Sequence, residues 1–169
     1  MSKYYANPYS TNHSGFYFED YDDFWDKIEP YEAEGVEEFE IEFIDGPAWE
    51  GALFTAAGIN QSNLKAWFDI QEDLEEHDAA VLYYLTSMLG YDLDVAAEKL
   101  EDAYLRDGSK EDYVYEMAND AGGWTELLGD NVDSYIDAAG VARDMEINGE
   151  IAEFDFGGSQ YTIAGLHGL

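Results

Sequence analysis

Cysteine is absent from the chain, so there is neither a disulfide framework nor a thiolate metal site. Basic residues are nearly as scarce, with seven Lys and Arg among 169 residues. That scarcity argues against direct nucleic-acid binding, which relies on Lys and Arg to displace counterions from phosphate. Long apolar runs are missing too. The longest, Ala79-Ala80-Val81-Leu82-Tyr83-Tyr84-Leu85, falls far short of the roughly 20 residues needed to cross a bilayer. The opening Met1-Ser2-Lys3-Tyr4-Tyr5 has no apolar stretch of the kind a secretory signal carries. These features lead us to expect a soluble cytoplasmic protein with no membrane partner.

Against these absences stand 39 Asp and Glu and a net charge of −32. The acids are not confined to a tail. Residues 1–60 hold 14 acids and 2 bases, residues 61–110 hold 12 and 4, and residues 111–169 hold 13 and 1. Hydrophobic residues make up 46% and aromatics 16%, so the acids pervade sequence able to build a core, unlike a disordered acidic segment.

The coarse pattern is mixed α+β in three blocks, residues 1–60, 61–108 and 109–169. In the first, residues 4–9 and 15–18 read as strands, and Asp20 or Tyr21 opens a short helix to Ile28 with Phe24, Trp25 and Ile28 inward. Glu38-Phe39-Glu40-Ile41-Glu42-Phe43 alternates acid and apolar residue strictly. One strand therefore buries Phe39, Ile41 and Phe43 and exposes three carboxylates. Asp45-Gly46-Pro47 ends it, and Pro47 suits the first turn of a helix ending near Gly58.

The second block reads as a helical bundle. Ser62 caps a helix to about Glu76 with Leu64, Trp67, Phe68 and Leu74 inward and Asp69, Glu72, Asp73, Glu75 and Glu76 outward. Asp78 caps an apolar helix over residues 79–89, stopped by Gly90. A third helix spans about 94–105 and carries Glu98, Glu101 and Asp102. In the third block, Ser109-Lys110-Glu111-Asp112 resembles a capping box opening a helix that stops at Gly122-Gly123. A turn of helix around Glu126, a helix over 137–146 and a hairpin of residues 151–156 and 160–164 complete the chain. No period of 20–50 residues recurs, which excludes a solenoid.

Motifs of catalysis are missing. His13, His77 and His167 stand apart in sequence, and none belongs to a metal or nucleophile motif. There is no phosphate-cradling glycine loop. Asp92-Leu93-Asp94 and Asp130-Asn131-Val132-Asp133 are oxygen-rich, yet neither completes a calcium loop. With so many carboxylates, no pair stands out as a glycosidase dyad. No catalytic residue, metal or cofactor is expected.

The spacing of the acids suggests another use. Carboxylates at i and i+2 of one strand face stand about 6.8 Å apart, and those at i and i+4 of a helix about 6 Å. Phosphates advance ~3.4 Å per strand along the DNA axis, and the winding backbone roughly doubles their separation. Glu38, Glu40 and Glu42 on the strand, and Asp69, Glu72, Asp73, Glu75 and Glu76 on the helix, therefore repeat charge at about phosphate spacing. We add to this candidate surface Asp20, Asp22, Asp23 and Asp26 of the first helix, Glu98, Glu101 and Asp102, and Asp112 and Glu116. Arg and Lys in a DNA groove accept carboxylate as they accept phosphate. A compact chain of this mass exposes roughly 8,400 Å², so even spreading gives about one net charge per 260 Å², against roughly 110 Å² for duplex DNA. Mimicry of DNA thus requires the acids to be gathered on part of the surface. An acid-rich structural or adaptor domain of a halophile has the same composition with its acids spread evenly.

Several segments resemble one family. Tyr4-Tyr5-Ala6-Asn7-Pro8-Tyr9, Gly15-Phe16-Tyr17-Phe18 and Val36-Glu37-Glu38-Phe39-Glu40-Ile41-Glu42-Phe43-Ile44-Asp45-Gly46 look like the opening of the ArdA antirestriction proteins. Gly58-Ile59-Asn60-Gln61-Ser62-Asn63-Leu64 is similar to that family's continuation, and Tyr135-Ile136-Asp137-Ala138-Ala139-Gly140-Val141-Ala142-Arg143-Asp144-Met145 to its Y-[IF]-D-Y-x-x-x-A-R-D-[LM] stretch. Where the family often has an aromatic and an acid after Asp137, this chain has Ala138, Ala139 and Gly140. The resemblance implies an elongated three-part α+β homodimer that mimics bent DNA. It also implies inhibition of type I restriction-modification enzymes by filling the DNA site of the methyltransferase core, without catalysis. Tyr135, Ile136, Asp137, Ala142, Arg143 and Asp144 would fall in the segment tied to dimer contact and antirestriction, with Arg143 read as an internal salt-bridge partner. Mimicry directed at another DNA-binding protein, such as a CRISPR effector or a nucleoid protein, remains the alternative, beside the halophile domain and a carboxylate-dependent hydrolase.

Overall fold

The computed structural model describes residues 2–121 and 135–166. It is mixed α+β, with two small antiparallel sheets and seven α-helices among the described residues. No described helix is long and apolar enough to cross a membrane. The sequence suggests boundaries near residues 60 and 108; the packing instead places a single boundary between two units, Met1–Glu98 and Lys99–Leu169.

The first unit is built on strands β1 (Lys3–Pro8), β2 (Phe16–Phe18) and β3 (Phe39–Asp45) in the order β2-β1-β3. Register joins the inward residues of the alternating patterns: Tyr4 faces Phe43, Ala6 faces Ile41 and Pro8 faces Phe39. Glu40 and Glu42 point to solvent, as the alternation predicts, while Phe43 is only half-buried. Helix α1 (Tyr21–Ala33) starts at Asp20, whose carboxylate accepts from Asp23 N at 2.8 Å. It runs one turn past Ile28, through Pro30. It ends when Gly35, at φ 79°, lets Val36 N reach Tyr31 O and Gly35 N reach Glu32 O. This is a Schellman motif, and the same pair of bonds closes α2 (Ala48–Ala56) at Gly58. Phe24 and Ile28 are buried by α1, but Trp25 is 42% exposed, a correction to its expected inward place.

Pro47 sits at the N-cap of α2 rather than inside its first turn. Helix α3 covers Leu64–Gln71, α4 Glu76–Ser87 and α5 Leu93–Glu98. Leu64 and Trp67 are fully buried, whereas Phe68 and Leu74 are half-buried. Ser62 does not cap α3; its hydroxyl donates to Asn60 Oδ1 at 2.6 Å, and Asn63 takes the N-cap position. Helix α4 is the apolar centre of this unit, with Ala79, Ala80, Val81, Leu82 and Leu85 buried. Its N-cap is Glu75, and Asp78 lies in the first turn instead of capping it.

Two expected helices are broken. The one expected over 62–76 stops at Gln71, and Glu75 and Glu76 belong to the start of α4. A continuous helix would stack like charges at i,i+3 and i,i+4. The break instead places Glu76 and Asp78 in the first turn of α4, where the helix dipole favours anions. The helix expected over 94–105 ends at Glu98. Leu100–Asp102 form a 3-10 turn, and Tyr104–Asp107 form strand β4.

In the second unit β4 pairs with β6 (Ser159–Ala164), which pairs with β5 (Ile151–Phe156). Gly157 and Gly158, both at positive φ, make the two-residue hairpin turn. Helix α6 (Lys110–Asp120) carries the expected capping box: Ser109 N donates to Asp112 Oδ2 at 3.0 Å and Asp112 N to Ser109 Oγ at 3.2 Å. Helix α7 (Ala138–Ile147) packs Ala138 and Ala142 against Val114. The Gly122-Gly123 stop, the turn around Glu126, the stretch 130–133 and His167 lie outside the described residues.

Candidate functional site

Acids of separate elements meet in the first unit. The N-terminus of α1 and the C-terminal end of α3 face one another across an open groove of about 630 Å³. Its lining includes Glu19, Asp20, Asp22, Asp69 and Glu72, with Lys65 as the one cation among the described residues. A neighbouring groove of about 450 Å³ shares Glu19 and Asp20 and adds Asp23, Lys3 and Lys27. The structure therefore brings Asp20, Asp22, Asp69 and Glu72 together, although some 50 residues separate the two groups in sequence. Asp26, Asp73, Glu75 and Glu76 are exposed but do not line these grooves.

Not every expected anion is a free charge. Lys65 Nζ lies 2.6 Å from Asp69 Oδ2, and that carboxylate holds the Lys65 ammonium above the ordinary lysine range. Lys27 binds Asp23 at 2.8 Å. Arg106 bridges Glu116 and Asp120 while its guanidinium lies 5.2 Å from the Tyr104 ring centre. Asp112 is spent on the cap: the Ser109 hydroxyl and backbone N–H hold its carboxyl below the usual range. Asp23, Asp69, Asp112 and Glu116 are thus partly structural. The remaining members of the expected surface are exposed: Glu38 just before β3, Glu40 and Glu42 along it, Glu98 at the end of α5, and Glu101 and Asp102 in the 3-10 turn. The last three do not share a helix face, because the helix expected there does not form.

The segment 135–145 divides by burial. Ala142 is wholly buried and Ile136 packs on the same cluster, while Tyr135, Arg143 and Asp144 are exposed. Arg143 makes no ion pair with a described residue. Asp137 caps α7 by accepting from Gly140 N at 3.0 Å. A Cβ on residue 140 would lie 2.5 Å from Asp137 Oδ2, so the cap as formed needs glycine there.

Sequence reasoning missed two arrangements. His13 is not isolated: its Nδ1 lies 2.8 Å from Ser10 Oγ and its Nε2 2.8 Å from Glu34 Oε2. With the Tyr31 hydroxyl donating to Ser14 O, this pins the loop between β1 and β2 to the end of α1. No local motif announces it, since Glu34 is 21 residues away. The second is Glu50, the one buried acid among the described residues, held by Ser2 Oγ at 2.6 Å and the Tyr4 hydroxyl at 2.7 Å. Among the described residues no three His, Asp or Glu side chains gather as a metal-binding group. Comparison with protein-family models, curated proteins and solved structures returned no match.

Proposed function

We propose that the protein is a non-catalytic DNA mimic that inhibits type I restriction-modification enzymes by occupying the DNA groove of their methyltransferase core. The observation that carries this reading is the convergence of α1 and α3 acids on one open groove, in a chain of net charge −32. Among the described acids only Glu50 is withdrawn from solvent. Many of the others stand on helices or strands that hold them at fixed separations, so those acids meet a basic groove without first being ordered. Such preorganisation is what a flexible acidic tail lacks. Each carboxylate accepts Arg or Lys donors as a phosphate oxygen does. The resemblance of several segments to ArdA proteins supports the choice of target.

Pairing of two copies belongs to the same proposal. Tyr135, Val141 and Ile147 are exposed apolar side chains in and beside the segment tied to dimer contact, with Ile147 at 75%. Sedimentation at physiological salt reads this directly.

The central test is competition between this protein and DNA for a purified type I methyltransferase core. Displacement of DNA that weakens as salt rises supports the proposal. Failure to bind the core, with phage plating on a restricting host unchanged by expression, rejects it. A pull-down that recovers a different DNA-binding protein would move the target and keep the mimicry.

A further inference from the structure

A third groove, of about 630 Å³, opens on the first unit between the start of the β1–β2 loop, α1 and the segment leading into β3. Its walls carry two exposed aromatics, Tyr9 at 68% and Trp25 at 42%, and two acids, Glu37 and Glu38. Phe39, buried beneath, forms part of its floor. The strand pattern accounts for Phe39 but not for leaving a tryptophan and a tyrosine in water beside paired carboxylates.

The walls are held in place. Gln61 clamps the segment from both sides: Phe39 N donates to Gln61 Oε1 at 3.1 Å, and Gln61 Nε2 donates to Glu37 O at 3.0 Å. Tyr9 N donates to Glu38 O at 3.2 Å, tying the opposite wall to the same stretch. No described Lys or Arg lines the groove, and neither carboxylate pairs with a described cation. The groove thus combines aromatic faces, uncompensated negative charge and a rigid frame.

We propose that this groove is an anchor for a single arginine side chain of a basic partner protein. A guanidinium stacks on an aromatic face and donates in its own plane to carboxylates at the same time. An ammonium has no plane to stack and keeps its hydration more tightly. The acids alone would attract any cation; the aromatics beside them select the flat one. If the partner is the restriction enzyme proposed above, this side chain is a discrete hot spot within a contact otherwise spread over many charges. The inference rests on that reading only for the identity of the partner.

The test uses the whole protein, labelled with nitrogen-15, and follows the Trp25 indole N–H and the Gln61 side-chain amide. The probes are capped single residues, arginine, lysine and citrulline, added at one fixed ionic strength. Arginine should give saturable shifts at both reporters, lysine should bind at least about threefold more weakly, and uncharged citrulline should not bind. The variants Trp25→Leu and Tyr9→Leu, the first read at Gln61 alone, should each weaken arginine about fivefold. Glu37→Gln with Glu38→Gln should weaken it at least as much. Asp155→Asn, which removes one exposed charge from β5, should leave it unchanged. Non-saturable shifts, equal response to citrulline, or equal weakening by Asp155→Asn would overturn the proposal. No restriction enzyme enters this titration, so failure here leaves the DNA competition result standing, and the reverse also holds.

Discussion

The Tyr4 hydroxyl donates a 2.7 Å hydrogen bond to Oε1 of Glu50 and accepts one of 3.0 Å from Trp67 Nε1. These contacts tie β1, α2 and α3 into one core, so residues 1–60 and 61–98 fold as a single unit. A buried carboxylate is tolerated only while donors satisfy it, and Tyr4 and Ser2 are the donors. Tyr4→Phe keeps the ring packing against Phe18, Phe54 and Phe68 but leaves one oxygen of Glu50 unsatisfied. It should cost about 2–3 kcal/mol, read as a lowered denaturation midpoint at neutral pH.

The same residue sets a pH dependence. Burial, reinforced by the bond to Glu50, pushes the Tyr4 phenol well above its ordinary value. The folded state holds the proton that an unfolded tyrosine releases near pH ~10. The stability Tyr4 contributes is therefore complete below about pH 10 and declines above it, as the unfolded chain ionises. Denaturation curves of the parent and Tyr4→Phe should converge as pH rises past that point. A gap that stays constant would show that Tyr4 does not hold its proton.

At the opposite end of the scale, the Ser109–Asp112 box should respond to acid. Ser109→Ala removes both the donor to Asp112 Oδ2 and the acceptor for Asp112 N, and should cost about 1 kcal/mol at neutral pH. Because the Asp112 carboxyl sits below its usual range, its contribution is present above about pH 4 and is lost as pH falls through the lower folded value. The difference between parent and variant should shrink in acid melts and stay level above neutrality.

That box was legible in the sequence because capping is local: its partners lie three residues apart. The alternation over 38–43 was legible for a similar reason, since burial of one sheet face imposes a period of two. Strand β4 was not. Tyr104–Asp107 becomes a strand only by pairing Leu105 with Ile163 and Arg106 with Thr162, partners more than 50 residues away. Trp25 was misjudged because adjacency to Phe24 hides a helical turn of about 100° per residue, enough to carry it out of the core and into a groove. At the candidate site, the sequence supplied the acids but could not pair α1 with α3, nor foresee that Lys65, Lys27 and Arg106 would occupy some of them.

Lys65 offers a way to ask whether the α1–α3 groove is used. Both partners of its ion pair with Asp69 are exposed, at 63% and 61%, so the pair adds little to stability. Lys65→Ala should leave the melting temperature within about 2 °C of the parent. It also removes the one described cation lining that groove and frees Asp69. If basic residues of a target sit there, the variant should compete with DNA about two- to fivefold more strongly at low salt, with the advantage fading as salt rises. Competition unchanged from the parent at low salt would mean that the groove lies outside the interface.

Neutralising the groove makes the converse case and separates a distributed contact from a local one. Asp22→Asn and Glu72→Gln each remove one exposed charge that caps no helix and pairs with no described cation. Asp69→Asn removes a charge already shared with Lys65, and should matter least. Under mimicry each single change should weaken competition with DNA by no more than about threefold. The triple variant should lose more than any single change, with coupling expected between Asp69 and Glu72, which lie three residues apart and line one groove. The slope of log affinity against log salt should flatten in step, since fewer anions then displace counterions from the basic groove. A single substitution that abolishes competition without unfolding the protein would instead identify one dominant contact here, and the acids around it would be a solvated surface.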